Sequence, residues 1–358
     1  MNIEHRFFRG RVALGAILNA LDIGTGSEVA IQAYTCVAVP EGVMAAGARP
    51  LWIDVSPKQV TMSPSDLHRK ISSNTRAIVV QHTFGIPADM HSICKIASEY
   101  GVPVIEDCCH TYDSRINNQL VGTFGAAAFY SFEWGKPLVA GIGGGVTTTD
   151  PILDNKIKNI LNSYSEPSFV DEWKNVALFN LLAATYSPQT FWLVRSLFRT
   201  AQKLGIAHQS YNQTDGLASK EFSQKILKST SKKITTLLRD VVSDAKNRRF
   251  CAAAYETALL NSGAQIPELI SGADPCLARF PIFTSQKTAL VEKARLKKIE
   301  IASWYETAVH PLTASEAIDV NYNPKLCPNA EDVARRLVSF PINSRVTAAS
   351  ISRAASII

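Results

Sequence analysis

No Cys-x-x-Cys pair occurs in the chain, and its seven cysteines (Cys36, Cys94, Cys108, Cys109, Cys251, Cys276 and Cys327) are odd in number and scattered. That pattern argues against a zinc ribbon or a disulfide scaffold and for reduced thiols, so no metal is expected. No leader pattern is visible at Met1-Asn-Ile-Glu-His-Arg6, which agrees with a cytoplasmic location. A membrane span needs about twenty uninterrupted apolar residues. The most apolar stretch, Val176–Phe198, is broken by Ser187-Pro188-Gln189 and followed by Arg195. It predicts two packed helices at a subunit contact rather than an integral span or a membrane-surface element. A net charge of +6 over 358 residues falls short of a nucleic-acid footprint. Internal repeats and low-complexity tracts are also missing.

What is present is alternation. Short apolar runs at Val29–Ile31, Pro50–Ile53, Ala77–Val80, Val102–Ile105 and Ala126–Tyr130 are separated by stretches with helical periodicity. Helices are expected from Arg11 to about Asp22, and over Val37–Ala46, Ser63–Ile71 and Asp89–Tyr100. The fold class is therefore α/β, with a mostly parallel sheet flanked by helices. A basic, helix-patterned stretch runs from Lys220 to Arg249. Beyond it, Pro281–Thr284, Gln286–Lys298 and Val338–Pro341 predict a smaller α+β unit. The expected division is a large domain over 1–235, with a divergent helical segment at about 165–215, and a small domain over 236–358.

Ligands gather at the carboxyl ends of parallel strands. One predicted strand runs out at Ile105-Glu-Asp107, and another leads to Ser131-Phe-Glu-Trp-Gly-Lys136. An aspartate and a lysine so placed are what pyridoxal phosphate chemistry requires. The lysine holds the aldehyde as a Schiff base, and the carboxylate keeps the pyridine nitrogen protonated. A nicotinamide site on Gly141-Ile-Gly-Gly-Gly145 is the weaker reading. Those glycines follow the lysine rather than opening the first strand–helix unit, and their spacing is not the dinucleotide fingerprint.

Five landmarks follow in one order: Gly10-Arg-Val-Ala-Leu14, Ala33-Tyr-Thr-Cys36, Ile105-Glu-Asp-Cys-Cys-His110, Ser131-Phe-Glu-Trp-Gly-Lys136 and Gly143-Gly-Gly-Val146. With Ile53-Asp-Val55, His82-Thr-Phe-Gly85 and the closing Ser339-Phe-Pro-Ile342, they make nearly the whole chain resemble the DegT/StrS sugar aminotransferases. These are fold-type-I pyridoxal phosphate enzymes. The resemblance implies a homodimer that passes an amino group from glutamate to the keto group of a sugar, commonly nucleotide-linked.

By resemblance, Lys136 is the Schiff-base lysine and Asp107 the pyridinium partner. His110 stands near the ring hydroxyl, and Ser131 donates to the phosphate. Gly10-Arg11 opens the helix whose amides receive that phosphate. Cys36 stands where relatives place a stacking ring, and Ile142 where many carry a glutamate. His310 is a candidate substrate contact beside Trp304-Tyr305, and Arg248-Arg249 suit a diphosphate. Asn212 is a candidate for the phosphate ligand that relatives take from the partner subunit. Two alternatives compete. One is a pyridoxamine-dependent sugar dehydratase, which replaces the lysine by histidine. The other is a non-catalytic regulatory or scaffold protein. Retention of Lys136 and Asp107 argues against both.

Overall fold

The computed structural model describes residues 3–187, 189–203, 220–259 and 262–358. Seven strands form the central sheet in the order His5–Phe7, Gly144–Thr147, Ala127–Ser131, Val104–Asp107, Thr75–Gln81, Glu28–Gln32 and Arg49–Ile53. The last five in that order are mutually parallel, and Gly144–Thr147 runs antiparallel to both of its neighbours. The expected α/β class is thus the observed one.

Both faces of the sheet are covered, which is why its strands read as continuous apolar runs. In Thr75–Gln81, Ala77 and Val79 enter the core shared with helix Gly10–Ala20, while Ile78 and Val80 enter the opposite one. Helix starts follow local chemistry. Ser63 accepts a hydrogen bond from the Asp66 amide, Asp89 from the Ser92 amide, and Asp150 from the amides of Ile152 and Leu153. Gly101, in the left-handed region, ends helix Met90–Tyr100.

The basic stretch from Lys220 to Arg249 is not one helix. It divides into a short 3-10 turn, Lys220–Ser223, and two helices, Lys228–Arg239 and Val241–Leu259, that meet at Asp240. Asp240 caps the first helix, its amide bonded to the Leu237 carbonyl, and accepts from the Asp244 amide of the second. The apolar segment does form two helices, Phe169–Thr185 and Phe191–Lys203. They lean on the C-terminal part: Tyr186 donates to Glu300 Oε2 at 2.5 Å, and Trp192 Nε1 donates to the Ile299 carbonyl at 2.9 Å. Among the described residues, no helix is long and apolar enough to cross a membrane. The C-terminal part is built on the antiparallel pair Arg279–Phe283 and Leu337–Pro341.

Candidate active site

Strand alternation assembles the site. Ile105 faces helix Gly10–Ala20, so Asp107 points the same way two residues later; Phe129 does likewise, and with it Ser131. Register aligns these ends, with Gln81 beside Asp107 and Asp107 beside Phe129. Gly10 opens the helix against them. A Cβ there would stand 3.2 Å from Ser131 Cβ and 3.5 Å from Cys109 Sγ. The first turn of that helix contains no acidic residue. Gly144 is required for the same close packing, since a Cβ would fall 2.3 Å from the Arg9 carbonyl oxygen.

Asp107 is buried, and its Oδ1 accepts from the Cys109 amide at 2.9 Å. Burial raises its carboxyl, against the Cys109 hydrogen bonds and the charges of Lys136 and His82. Glu106 faces the other way, and the sequence reading gave it no role. Its Oε1 accepts from the amides of Phe124 (2.7 Å) and Gly125 (2.8 Å), and its Oε2 from Gly122 (2.6 Å). His82 Nε2 completes the set at 3.1 Å. Because His82 Nδ1 accepts from the Ala88 amide, Nε2 carries the hydrogen. Burial pushes the Glu106 carboxyl up, but His82 and these amides outweigh it and hold the carboxyl below its ordinary value. His82, Glu106 and Cys108 lie close enough to suggest a metal, yet both imidazole nitrogens and both carboxylate oxygens are already hydrogen-bonded.

Lys136 lies beyond the strand end, in a turn where its amide bonds the Glu133 carbonyl. Its Nζ sits 3.1 Å from His110 Nε2 and 5.1 Å from the centre of the Trp304 ring. His110 Nδ1 accepts from the Phe84 amide at 3.1 Å, which leaves the hydrogen on Nε2, facing Lys136 and the Tyr305 hydroxyl. Burial, then Lys136, hold the His110 pKa well below its ordinary value, so the ring is neutral. Its plane is 4.9 Å from Trp304, centre to centre. Trp304 and Tyr305 therefore form an aromatic wall over the lysine where Cys36 offers none. His310 joins this wall. Strand Val309–His310 pairs in parallel with Thr35–Cys36, and the His310 ring lies 5.5 Å from that of Tyr305. Burial takes its pKa down to about 4, which keeps it uncharged.

Other residues are placed differently from expectation. Arg248 is buried and every nitrogen is engaged: Nε with Asp244 and Tyr112, Nη1 with the carbonyls of Leu277, Ala278 and Ile342, and Nη2 with the Pro137 carbonyl at 2.6 Å. Arg249 is held by Asp113 and Asp274. Arg248 has no nitrogen left for a diphosphate, so the substrate role read for it is withdrawn, while Arg249 meets its two aspartates at the surface. Arg248 instead ties the loop after Lys136 to the C-terminal strands. Ile142 packs with Phe8 and Leu227. The Arg11 side chain is ion-paired with Glu41 and Glu221. Asn212 lies outside the described residues. A cavity of about 490 Å³, lined by Lys58, Glu268, Asn329 and Asp332 among others, contains none of the site residues.

A buried carboxylate at a parallel strand's carboxyl end and a lysine in the next strand's exit turn, near a helix N-terminus, give this α/β fold the layout of an enzyme site. Residues 9–184 and 233–358 match the sequence profile of the DegT/DnrJ/EryC1/StrS aminotransferase family, and the chain belongs to that family. Among its relatives, the UDP-N-acetyl-3-dehydro-alpha-D-glucosamine 3-aminotransferase of Acidithiobacillus ferrooxidans is 28% identical over 350 residues, 98% of this chain and 81% of that one. The GDP-perosamine synthase of Escherichia coli O157:H7 is 38% identical over 144 residues, 40% of each chain. The solved structure of S. venezuelae DesV shares the fold, with a TM-score of 0.77 and 24% identity over 99% of this chain and 84% of that one.

The family implies pyridoxal phosphate, and the residues present fit it. Asp107 is a buried carboxylate with a single amide partner on Oδ1. Gly10 leaves room that a side chain would fill, next to Ser131. Lys136 follows from the turn after Ser131, its Nζ beside His110 and Trp304.

Proposed function

We propose that the chain is a pyridoxal-phosphate-dependent sugar aminotransferase, taking an amino group from glutamate and giving it to the keto carbon of a nucleotide-linked sugar. Its working form is a homodimer, as the family resemblance implies, and its odd, scattered cysteines suit the reducing cytoplasm. The observation that carries the reading is Asp107 and Ser131 at the ends of neighbouring parallel strands, with Gly10 against Ser131 and Lys136 in the turn that follows it.

The cofactor, when bound, supplies an aldehyde that accepts the amino group and a ring that withdraws electrons. Ser131 Oγ and the first amides of helix Gly10–Ala20 hold its phosphate. The Asp107 carboxylate holds a proton on the ring nitrogen, where burial strengthens the attraction between the opposite charges. His110, fixed by the Phe84 amide, would help to orient the cofactor ring. The Lys136 Nζ would bind the aldehyde and, when free, would serve as the general acid and base of the amino-group transfer. Trp304 and Tyr305 exclude water from that transfer. His310, neutral at working pH, offers a hydrogen bond to a sugar hydroxyl.

Borohydride reduction in the presence of pyridoxal phosphate, followed by peptide mapping, tests the assignment. The label is expected on Lys136 and is lost in Lys136→Ala. An undiminished adduct in that variant would sink the reading. Conversion of the yellow form by glutamate, and its recovery with a panel of keto-sugar nucleotides, identifies donor and acceptor.

A further inference from the structure

Arg9 received no role from sequence, yet it caps helix Gly10–Ala20 and is only 3% exposed. Its Nη1 is 3.2 Å from Glu133 Oε1, and its Nε is 2.8 Å from Glu221 Oε2. The other oxygen of Glu221 lies 3.5 Å from Arg11 Nε, and Arg11 also pairs with Glu41. One carboxylate thus spans two buried guanidinium groups at the end of the helix that opens beside Ser131. Glu133 accepts the Lys136 amide hydrogen on its carbonyl and pairs its side chain with Arg9, which brings the cluster to the turn that carries the lysine. Glu221 belongs to no helix or strand of the main fold. It sits on the 3-10 turn Lys220–Ser223, whose residues are all at least partly exposed.

We infer that Arg9 and Arg11 form a cationic phosphate clamp supplied by the same chain, and that Glu221 holds the phosphate's place until the cofactor arrives. The inference rests on the functional reading above for the identity of the phosphate. Guanidinium groups match phosphate and carboxylate oxygens with the same fork geometry, so one anion substitutes for the other without rebuilding the site. Charge requires the exchange. Arg9 and Arg11 face Glu41, Glu133 and Glu221, two cations against three carboxylates. A phosphate dianion added to that set leaves an excess of buried negative charge, which is costly. Displacing Glu221, on its exposed turn, relieves the excess with the least movement, because Glu41 and Glu133 lie on the main fold.

The cofactor-free full chain is titrated with inorganic phosphate by calorimetry, and with pyridoxal phosphate and unphosphorylated pyridoxal by absorbance. Glu221→Gln is expected to bind inorganic phosphate and pyridoxal phosphate about tenfold more tightly, with pyridoxal unchanged. Arg9→Gln is expected to lose about tenfold or more for the two phosphate compounds, again with pyridoxal unchanged, and Arg9→Lys to recover part of the loss. Should Arg9→Gln fail to fold, Arg9→Lys and Glu221→Gln still decide the matter. Unchanged or weaker phosphate binding in Glu221→Gln overturns the inference, as does equal loss of pyridoxal in the arginine variants. If wild type forms no adduct at Lys136 with pyridoxal phosphate, the functional reading fails, while the inorganic phosphate titration still judges the clamp.

Discussion

Glu106→Gln replaces one carboxylate oxygen by an amide nitrogen at almost constant volume, and the geometry makes that small change expensive. Each oxygen of Glu106 accepts two hydrogen bonds: Oε1 from the amides of Phe124 and Gly125, Oε2 from the Gly122 amide and His82 Nε2. Whichever way the glutamine amide is turned, its NH2 faces two donors. Leaving two buried donors unpaired costs about 1–3 kcal/mol each, or roughly 2–6 kcal/mol in all. That is a large share of the 5–15 kcal/mol, to order of magnitude, that holds a typical domain folded.

Urea unfolding of the cofactor-free chain at neutral pH measures the cost, with the midpoint falling and the slope unchanged. The pH dependence supplies a second reading. The folded-state pKa of Glu106 lies below its ordinary value. Its contribution is therefore complete above the unfolded pKa and is lost as pH falls through the folded one. A protonated Glu106 carries a donor as glutamine does, so the difference between wild type and variant should shrink in acid. A loss under about 1 kcal/mol at neutral pH, or a difference that grows in acid, would refute the reasoning. The loop 122–125 leads into strand Ala127–Ser131, so the same variant should bind pyridoxal phosphate less tightly.

Asp107→Asn is expected to lower kcat by about 10²–10³-fold while the chain still forms its lysine adduct, as steady-state kinetics and borohydride labelling together report. Arg248→Met removes a guanidinium that bonds three buried carbonyls, the half-buried Pro137 carbonyl and Asp244. It should cost about 3–5 kcal/mol in denaturant unfolding, and a neutral result would remove its role as a tie. Phe169 and Trp173 are 84% and 67% exposed on one helix, a surface that an isolated chain rarely leaves bare. Replacing both with serine should weaken self-association in sedimentation and leave co-sedimentation with anionic vesicles unaltered. Loss of vesicle binding would favour a membrane-surface role for this helix.

Local chemistry made much of the fold readable. The caps Ser63, Asp89 and Asp150 and the stop at Gly101 need only neighbours in sequence, and they mark their helix ends in the structure. Asp107 and Ser131 were recognisable as strand ends because apolar runs stop at them, and a period of two turns both toward helix Gly10–Ala20. Lys136 needed the surrounding motif, since a loop lysine carries no periodic signal. The same alternation turns Glu106 away from Asp107, a signal present in the sequence that went unused.

Charged side chains were another matter. Arg248 and Arg249 looked like diphosphate ligands because a basic pair on a helix reads the same whether it faces solvent, substrate or backbone carbonyls. Their partners lie up to 136 residues away. Arg9 and Arg11 find Glu221 more than two hundred positions downstream, and Trp304 reaches Lys136 from the C-terminal part. The sequence by itself determined the five parallel strands and the residues at the ends of two of them, because propensity and alternation act over a few residues, whereas His5–Phe7 and the antiparallel Gly144–Thr147 join the sheet only through tertiary pairing. Which cation meets which anion, and which ring covers the lysine, only the tertiary structure decided, because those contacts depend on chain closure over hundreds of residues.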